Sequence, residues 1–173
     1  DELLYNGSFE TQGEFKREAD GWKHKNLLKD KRKCTKTKPD GTIKEFGYTG
    51  DCAFMFKGFA GVKSKLIQTP DPVGAEGDTL YLSGYVRSKK PSSNFVLLLK
   101  VFYSDTEEKS KFRITAANET FAFKQMASAM TLIGTPEKIK VMAFIRSDGG
   151  KLFLDDMSLQ HITAAAALDG GLL

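Results

Sequence analysis

Residues 79–87 alternate between apolar and polar side chains with a period of two. Leu80, Leu82 and Val86 fall on one side of the pattern, whereas Tyr81 and Tyr85 fall on the other. Successive side chains of a β-strand point to opposite faces of a sheet. The pattern therefore predicts a strand that presents one face to a hydrophobic core and its tyrosines to the outside.

Short apolar runs bounded by turn residues recur along the rest of the chain. They span residues 3–10, 52–56, 62–69, 95–103, 111–115, 121–126, 138–146 and 151–159, and 130–133 either continues the 121–126 strand or forms its partner. Turn signals at roughly 8–12-residue spacing, without a long helical pattern, are typical of an all-β sandwich or barrel. Ser-Asp-Gly-Gly at 147–150 predicts the turn of a closing hairpin.

Length and composition predict one globular domain. We expect the domain to cover residues 1–161 of the 173-residue chain, with a linker or tail at 162–173. The net charge of +4, from 26 basic and 22 acidic residues, does not indicate nucleic-acid binding, and no apolar stretch is long enough to span a membrane. The single tryptophan, Trp22, is expected in the core or at its edge. Cys34 and Cys52 leave a disulfide and two free thiols equally open.

Two consecutive carboxylates, Asp155 and Asp156, stand inside the apolar frame of the last predicted strand. Burying a carboxylate is costly unless a cation or hydrogen-bond donors offset its desolvation. Neighbours on a strand point to opposite faces, so this pair is not expected to flank one glycosidic bond as a catalytic couple. With no nucleophile elbow, phosphate loop or His-Glu-x-x-His motif in the sequence, we expect the chain not to be an enzyme.

A series of short motifs resembles a known family. The series is Asn-Gly-Ser-Phe-Glu at 6–10, Gly-Trp at 21–22, Tyr-Thr-Gly at 48–50, Leu-Ile-Gln at 66–68, Gly-Asp-Thr-Leu-Tyr-Leu-Ser-Gly-Tyr-Val-Arg at 77–87 and Phe-Leu-Asp-Asp-Met-Ser-Leu at 153–159. Their order across residues 3–160 resembles the non-catalytic carbohydrate-binding modules of families four, nine and twenty-two. The resemblance implies a galactose-binding-like jelly roll, a sandwich of two antiparallel sheets.

The resemblance also implies a structural calcium ion near the joined chain ends. Glu10 and Asp155 would supply side-chain ligands, and backbone oxygens around residues 49–52, including those of Thr49 and Cys52, would complete the shell. Calcium takes six to eight hard oxygen ligands, which separated segments can provide. In the alternative interpretation the two acids accept hydrogen bonds from backbone or lysine donors. Asp156 would replace Asp155 if a bulge shifted the register.

The resemblance implies sugar binding on one sheet face through aromatic and polar side chains. The outward row of Tyr81, Tyr85 and Arg87 has this mixture at strand spacing. Four residues of other strands are expected to join it: Phe102, Gln125, Phe144 and Arg146.

The function implied is polysaccharide or glycan binding by a module joined to other domains of a secreted or cell-surface protein. One alternative is a structural or adhesive sandwich of an extracellular or surface-layer protein, which holds calcium but binds no glycan. Another is a binder of anionic polymers that uses the lysine-rich residues 23–44. The predicted location of both the glycan-binding module and the structural or adhesive sandwich is extracellular or at the cell surface.

Overall fold

A computed structural model describes residues 1–91, 94–146 and 149–166. Within these residues the chain forms twelve strands. They are β1 (Lys23–Lys25), β2 (Lys31–Cys34), β3 (Lys36–Thr37), β4 (Ile43–Lys44), β5 (Cys52–Lys57), β6 (Lys63–Gln68), β7 (Thr79–Lys90), β8 (Phe95–Tyr103), β9 (Lys109–Thr115), β10 (Phe121–Thr131), β11 (Pro136–Arg146) and β12 (Lys151–Ile162).

Ten of these strands form two antiparallel sheets. The first sheet has the order β10-β7-β12-β5-β2, and the second has the order β1-β6-β11-β8-β9. Strands β3 and β4 pair only with each other. The predicted all-β, two-sheet antiparallel sandwich is therefore confirmed. Consecutive strands often lie in different sheets. For example, β7 belongs to the first sheet and β8 to the second.

The core lies between the two sheets and is built by the alternation seen in the sequence. Leu80, Leu82 and Val86 of β7 are fully buried, as the period-two pattern predicts. Trp22 is also buried in this core, where its Nε1 donates a hydrogen bond to the Asn6 carbonyl oxygen.

The opening segment lies along β12 but is not the strand predicted for residues 3–10. Glu2 forms an isolated bridge to Gln160, and farther along, the Met157 N–H donates to the Gly7 carbonyl at 2.9 Å. Asn6 and Phe9 have positive φ angles of 51° and 58°, which break the extended conformation. The chain ends are thus joined by hydrogen bonds around a turn.

The lysine-rich excursion at residues 23–44 contributes strands to both sheets. Its tip is the β3–β4 hairpin, and a disulfide joins Cys34 of β2 to Cys52 of β5. The closing hairpin predicted between residues 138–146 and 151–159 is wrong, because β11 pairs with β6 and β8 in the second sheet, whereas β12 pairs with β5 and β7 in the first. Residues 147–148 of the predicted turn and 167–173 of the predicted tail lie outside the described residues. In the described part of the chain, no helix has the length and apolar character needed to cross a bilayer.

We expect Gly7→Ala to destabilise the protein, because a β carbon at Gly7 would lie 1.9 Å from the Met157 carbonyl oxygen. Overpacking of this kind costs about 1–3 kcal/mol. Urea unfolding should show the loss, whereas Gly149→Ala, at a glycine with open space around it, should change stability by less than about 0.5 kcal/mol. Equal stability of the Gly7→Ala variant and the wild type would contradict the packing described here.

The carboxylate of Asp78 fastens the end of β12 to the turn before β7. Asp78 Oδ2 lies 2.8 Å from His161 Nε2 and accepts a hydrogen bond from the Ala75 N–H, while Oδ1 accepts one from the Ala164 N–H. The hydrogen bond with His161 is the largest cause of a lowered pKa for Asp78. Because folding lowers the pKa of Asp78, its ionised carboxylate stabilises the fold at pH values above the pKa of the unfolded state. This stabilisation is lost as the pH falls through the lower pKa of the folded state.

Asp78→Asn should lower the free energy of unfolding by about 1–3 kcal/mol near pH 7, since an amide group presents N–H to backbone donors. The difference from wild type should shrink as the pH drops below the ordinary aspartate pKa of 3.8. Denaturant titrations at several pH values measure it, with the exposed Asp71→Asn variant as control. A difference that is independent of pH would contradict this role of the ionised carboxylate.

Candidate functional site

A β-bulge in β12 places its two acidic residues. Asp155 pairs with Tyr85 of β7, but the next pair is Ser158 with Ser83, so β12 carries one extra residue. Asp156 is the bulged residue, and its φ angle is 45°. The prediction that the two carboxylates point to opposite faces is wrong, because the bulge lets both reach the same loop.

That loop comprises residues 47–52, and it is held by the acids of β12 on one side. Asp155 Oδ2 accepts hydrogen bonds from the Tyr48 N–H at 2.8 Å and the Thr49 N–H at 3.2 Å. Asp156 accepts one from the Thr49 hydroxyl. Asp155 is fully buried, and this desolvation raises its pKa to about 7.

Glu10 holds the same loop from its other side. Its Oε1 accepts hydrogen bonds of 3.0 Å from the N–H groups of Asp51 and Cys52. The predicted metal ligands Glu10, Thr49, Cys52 and Asp155 therefore meet around one loop. The alternative interpretation, in which the acids accept backbone hydrogen bonds, describes the contacts seen.

Three carbonyl oxygens of this loop converge beside Gly47. A β carbon at Gly47 would lie 2.8 Å from the carbonyl oxygen of Thr49, 3.0 Å from that of Cys52 and 3.2 Å from that of Gly50. The described residues contain no group of three or more His, Cys, Asp or Glu side chains that could hold a metal ion by themselves. Any cation here would rely on backbone oxygens together with the two carboxylates.

The loop also places an aromatic side chain on the outer face of the first sheet. The ring of Tyr48 stacks on that of Tyr85, with centroids 3.9 Å apart and an interplanar angle of 12°, and Phe123 of β10 lies 5.6 Å from Tyr48 in a tilted arrangement. Tyr48 is 45% exposed. Sequence reasoning did not select Tyr48 as a site residue, although an aromatic residue in a turn-rich stretch is the signal that would have identified it.

Polar groups surround this pair of rings. The guanidinium carbon of Arg87 lies 4.7 Å from the ring centroid of Phe153 and 5.7 Å from that of Phe123. Gln125 of β10 pairs directly with Tyr85. Tyr81 is on the same side of β7. We call this surface the tyrosine face, formed by Tyr48, Tyr81, Tyr85, Arg87, Phe123 and Gln125.

The other three predicted members of the site are elsewhere. Phe102, Phe144 and Arg146 belong to β8 and β11 of the second sheet, on the opposite side of the sandwich. Phe144 is also almost completely buried. The prediction that they join Tyr85 is wrong, because β8 crosses to the other layer after β7 instead of forming a hairpin with it.

The tyrosine face has the chemistry that recognises a polar ring compound with an apolar side. An exposed aromatic ring accepts flat C–H surfaces, and the nearby guanidinium and amide groups donate and accept hydrogen bonds in a plane.

Comparison with solved structures identifies the fold. A domain of a tailspike protein from bacteriophage CBA120 matches with a TM-score of 0.64 and 11% identity, over 93% of this chain and 21% of the tailspike chain. A family 16 carbohydrate-binding module matches with a TM-score of 0.63 and 15% identity. The match covers 91% of this chain and 99% of the module. The xylan-binding family 22 module of Paenibacillus barcinonensis Xyn10C matches with a TM-score of 0.57 and 14% identity. The match covers 95% of this chain and 96% of the module.

The chain thus has the fold of carbohydrate-binding modules, and it spans about a fifth of the tailspike chain. No protein-family model and no curated protein matches the sequence. At identities this low, the likeness supports the fold and leaves the ligand to be argued from the residues.

Proposed function

We propose that the chain is a non-catalytic polysaccharide-binding module of a larger extracellular or cell-surface protein, and that it binds sugar on the tyrosine face. The observation that carries the proposal is the stack of Tyr48 on Tyr85, because it presents a fixed and exposed ring beside Arg87 and Gln125. The fold shared with family 16 and family 22 modules supports the same class of ligand. The Cys34–Cys52 disulfide supports an oxidising compartment.

The physical basis of binding is a ring held in place before the ligand arrives. Tyr48 has its backbone N–H fixed by Asp155 and its side chain fixed by Tyr85, so little side-chain entropy is lost when a sugar stacks on it. Arg87 lies against two phenylalanine rings, which limits the movement of its guanidinium group.

Tyr48→Ala and Tyr85→Ala should each weaken polysaccharide binding by about 30-fold or more, since truncating a central aromatic contact costs about 2 kcal/mol. Affinity electrophoresis with soluble xylan, β-1,4-galactan and mixed-linkage β-glucan provides the measurement. Phe15→Ala is the matched control, because Phe15 is 61% exposed and lies outside the tyrosine face.

The control should bind as the wild type does. Retention of a polysaccharide by both tyrosine variants would overturn the assignment of the face. Failure of the wild type to bind any of the three polysaccharides would instead favour the structural or adhesive alternative.

We further propose that the 47–52 loop holds a structural calcium ion. Glu10 and Asp155 would be its side-chain ligands, and the carbonyl oxygens of Thr49 and Cys52 would add hard oxygen donors. The residues fit such an ion, because three carbonyl oxygens converge beside Gly47 and a carboxylate with no exposed surface lies against the loop. The ion would offset the desolvation of Asp155 and fix the loop that carries Tyr48.

Calcium at 100 times its dissociation constant should stabilise the wild type by about 2.7 kcal/mol, which is a rise in melting temperature of about 5–11 °C. The chelator EGTA should reverse the rise. Glu10→Gln should lose most of the response to calcium, and Glu14→Gln, in which an exposed acid outside the loop is changed, should keep it. A wild-type melting temperature that does not respond to calcium or EGTA would contradict the site.

A further inference from the structure

The outer face of the second sheet concentrates basic residues. Its inner positions, such as Leu97, Leu99 and Val141, are fully buried. The alternating positions of β1, β6, β11, β8 and β9 are therefore on the outer side. Eleven of these outer residues are basic: Lys23, Lys25, Lys63, Lys65, Lys100, Lys109, Lys111, Arg113, Lys138, Lys140 and Arg146. We call this surface the basic face.

Strand register brings these cations side by side. Lys140 of β11 pairs with Lys100 of β8, and Lys100 pairs with Lys111 of β9, so three lysines stand in a row across three strands. A second row places Lys138 and Lys109 on either side of Phe102. Like charges on directly paired positions repel and destabilise a sheet.

Within the five strands little neutralises this charge, and the acidic residues of the β8–β9 loop lie at the end of the face near Phe102 and Lys109. None of the eleven basic side chains forms a salt bridge in the described part of the chain. Glu137 is the one acidic residue within the five strands. Partial burial and the neighbouring lysines lower the pKa of Lys140, and burial and nearby Lys65 lower that of Lys63. Since the whole chain has a net charge of only +4, the remainder of the molecule is net negative.

The middle of the basic face is apolar. Val96, Leu98 and Phe144 form a cluster there, with Met142 packed against it. The Nζ of Lys63 covers the ring of Phe144 at 4.5 Å from its centroid. Lysine side chains thus cover a buried apolar cluster, and the face presents their ammonium groups.

We propose that the basic face is a second binding surface, separate from the tyrosine face, whose ligand is an anionic polysaccharide carrying carboxylate or sulfate groups. Rows of lysine ammonium groups match charges repeated along a polymer, and several weak contacts then add up along one chain. The surface does not depend on the proposed function, because it lies on the opposite side of the sandwich and uses different residues.

The arrangement favours a polysaccharide over a nucleic acid. Binding of single-stranded nucleic acid relies on exposed aromatic rings on which bases stack. Phe144 is 1% exposed, and the ring of Phe102 is flanked by Lys100, Lys109 and Lys138 at 5.0, 5.2 and 5.7 Å. The disulfide further points to an oxidising compartment outside the cytosol.

The structure does not favour residues 31–33 of the lysine-rich excursion for this role. The guanidinium of Arg32 donates hydrogen bonds to the carbonyl oxygens of Phe9 and Glu10 at 2.6 and 2.7 Å. The Nζ of Lys33 lies 4.8 Å from the ring centroid of Phe46. Arg32 is thus committed to the framework, although a second group of crowded lysines, including Lys33, Lys44 and Lys151, lies on and beside the first sheet.

The test compares the intact chain with the triple variant Lys100→Gln, Lys111→Gln and Lys140→Gln. Titrations with heparin and with polygalacturonate should show affinity about 100-fold weaker for the triple variant, since each lysine near an anionic surface contributes about a factor of five. The slope of log affinity against log salt should also become shallower. The control variant Lys16→Gln, Lys29→Gln and Lys36→Gln removes equal charge from exposed positions elsewhere and should lose much less.

Unchanged heparin and polygalacturonate affinity in the triple variant would overturn the proposal, and so would an equal loss in the control. Tighter binding of a DNA duplex than of both polysaccharides would assign the face to nucleic acid and reject the ligand class. Tyr48→Ala should bind heparin as the wild type does, so failure of the tyrosine face and failure of the basic face give different results. Melting temperatures within a few degrees of wild type establish that each variant is folded.

Discussion

The hydrogen bonds between Asp155 and the 47–52 loop are the contact on which the rest of the site depends. A carboxylate with no exposed surface loses its hydration, and the N–H groups of Tyr48 and Thr49 supply the donors that replace it. Burial still raises its pKa to about 7, so these donors offset only part of the desolvation. The proposed calcium ion would offset the remainder, and the same hydrogen bonds fix the loop that stacks Tyr48 on Tyr85.

The bulge in β12 is what allows this contact. Without the extra residue at Asp156, strict alternation would direct one acid inward and the next outward. With it, both acids reach one loop, and the register beyond the bulge returns to a regular pairing of Ser158 with Ser83. The positive φ of Asp156 is the local cost, and aspartate is one of the few non-glycine residues that tolerate it.

Period-two patterns in the sequence predicted which residues face the core, and Leu80, Leu82 and Val86 are fully buried as expected. The same patterns could not predict which sheet a strand joins, because alternation describes the faces of one strand and contains no information about its neighbour. Phe102 and Phe144 were misplaced for this reason. The motif series located Glu10 and Asp155 near one loop, but the stack of Tyr48 on Tyr85 depends on a loop conformation that local sequence does not specify.

The basic face carries repulsion that the fold itself does not need. Lys100 has lysines paired with it on both sides, and an exchange of either for a neutral residue would relieve unfavourable charge contacts without disturbing the core. Residues that lower stability in this way are commonly retained where a function requires them. A polyanion supplies the missing counter-charge, so binding would recover energy that the free protein gives up. The two faces of the sandwich thus differ in kind: one presents a rigid ring, and the other presents unneutralised charge.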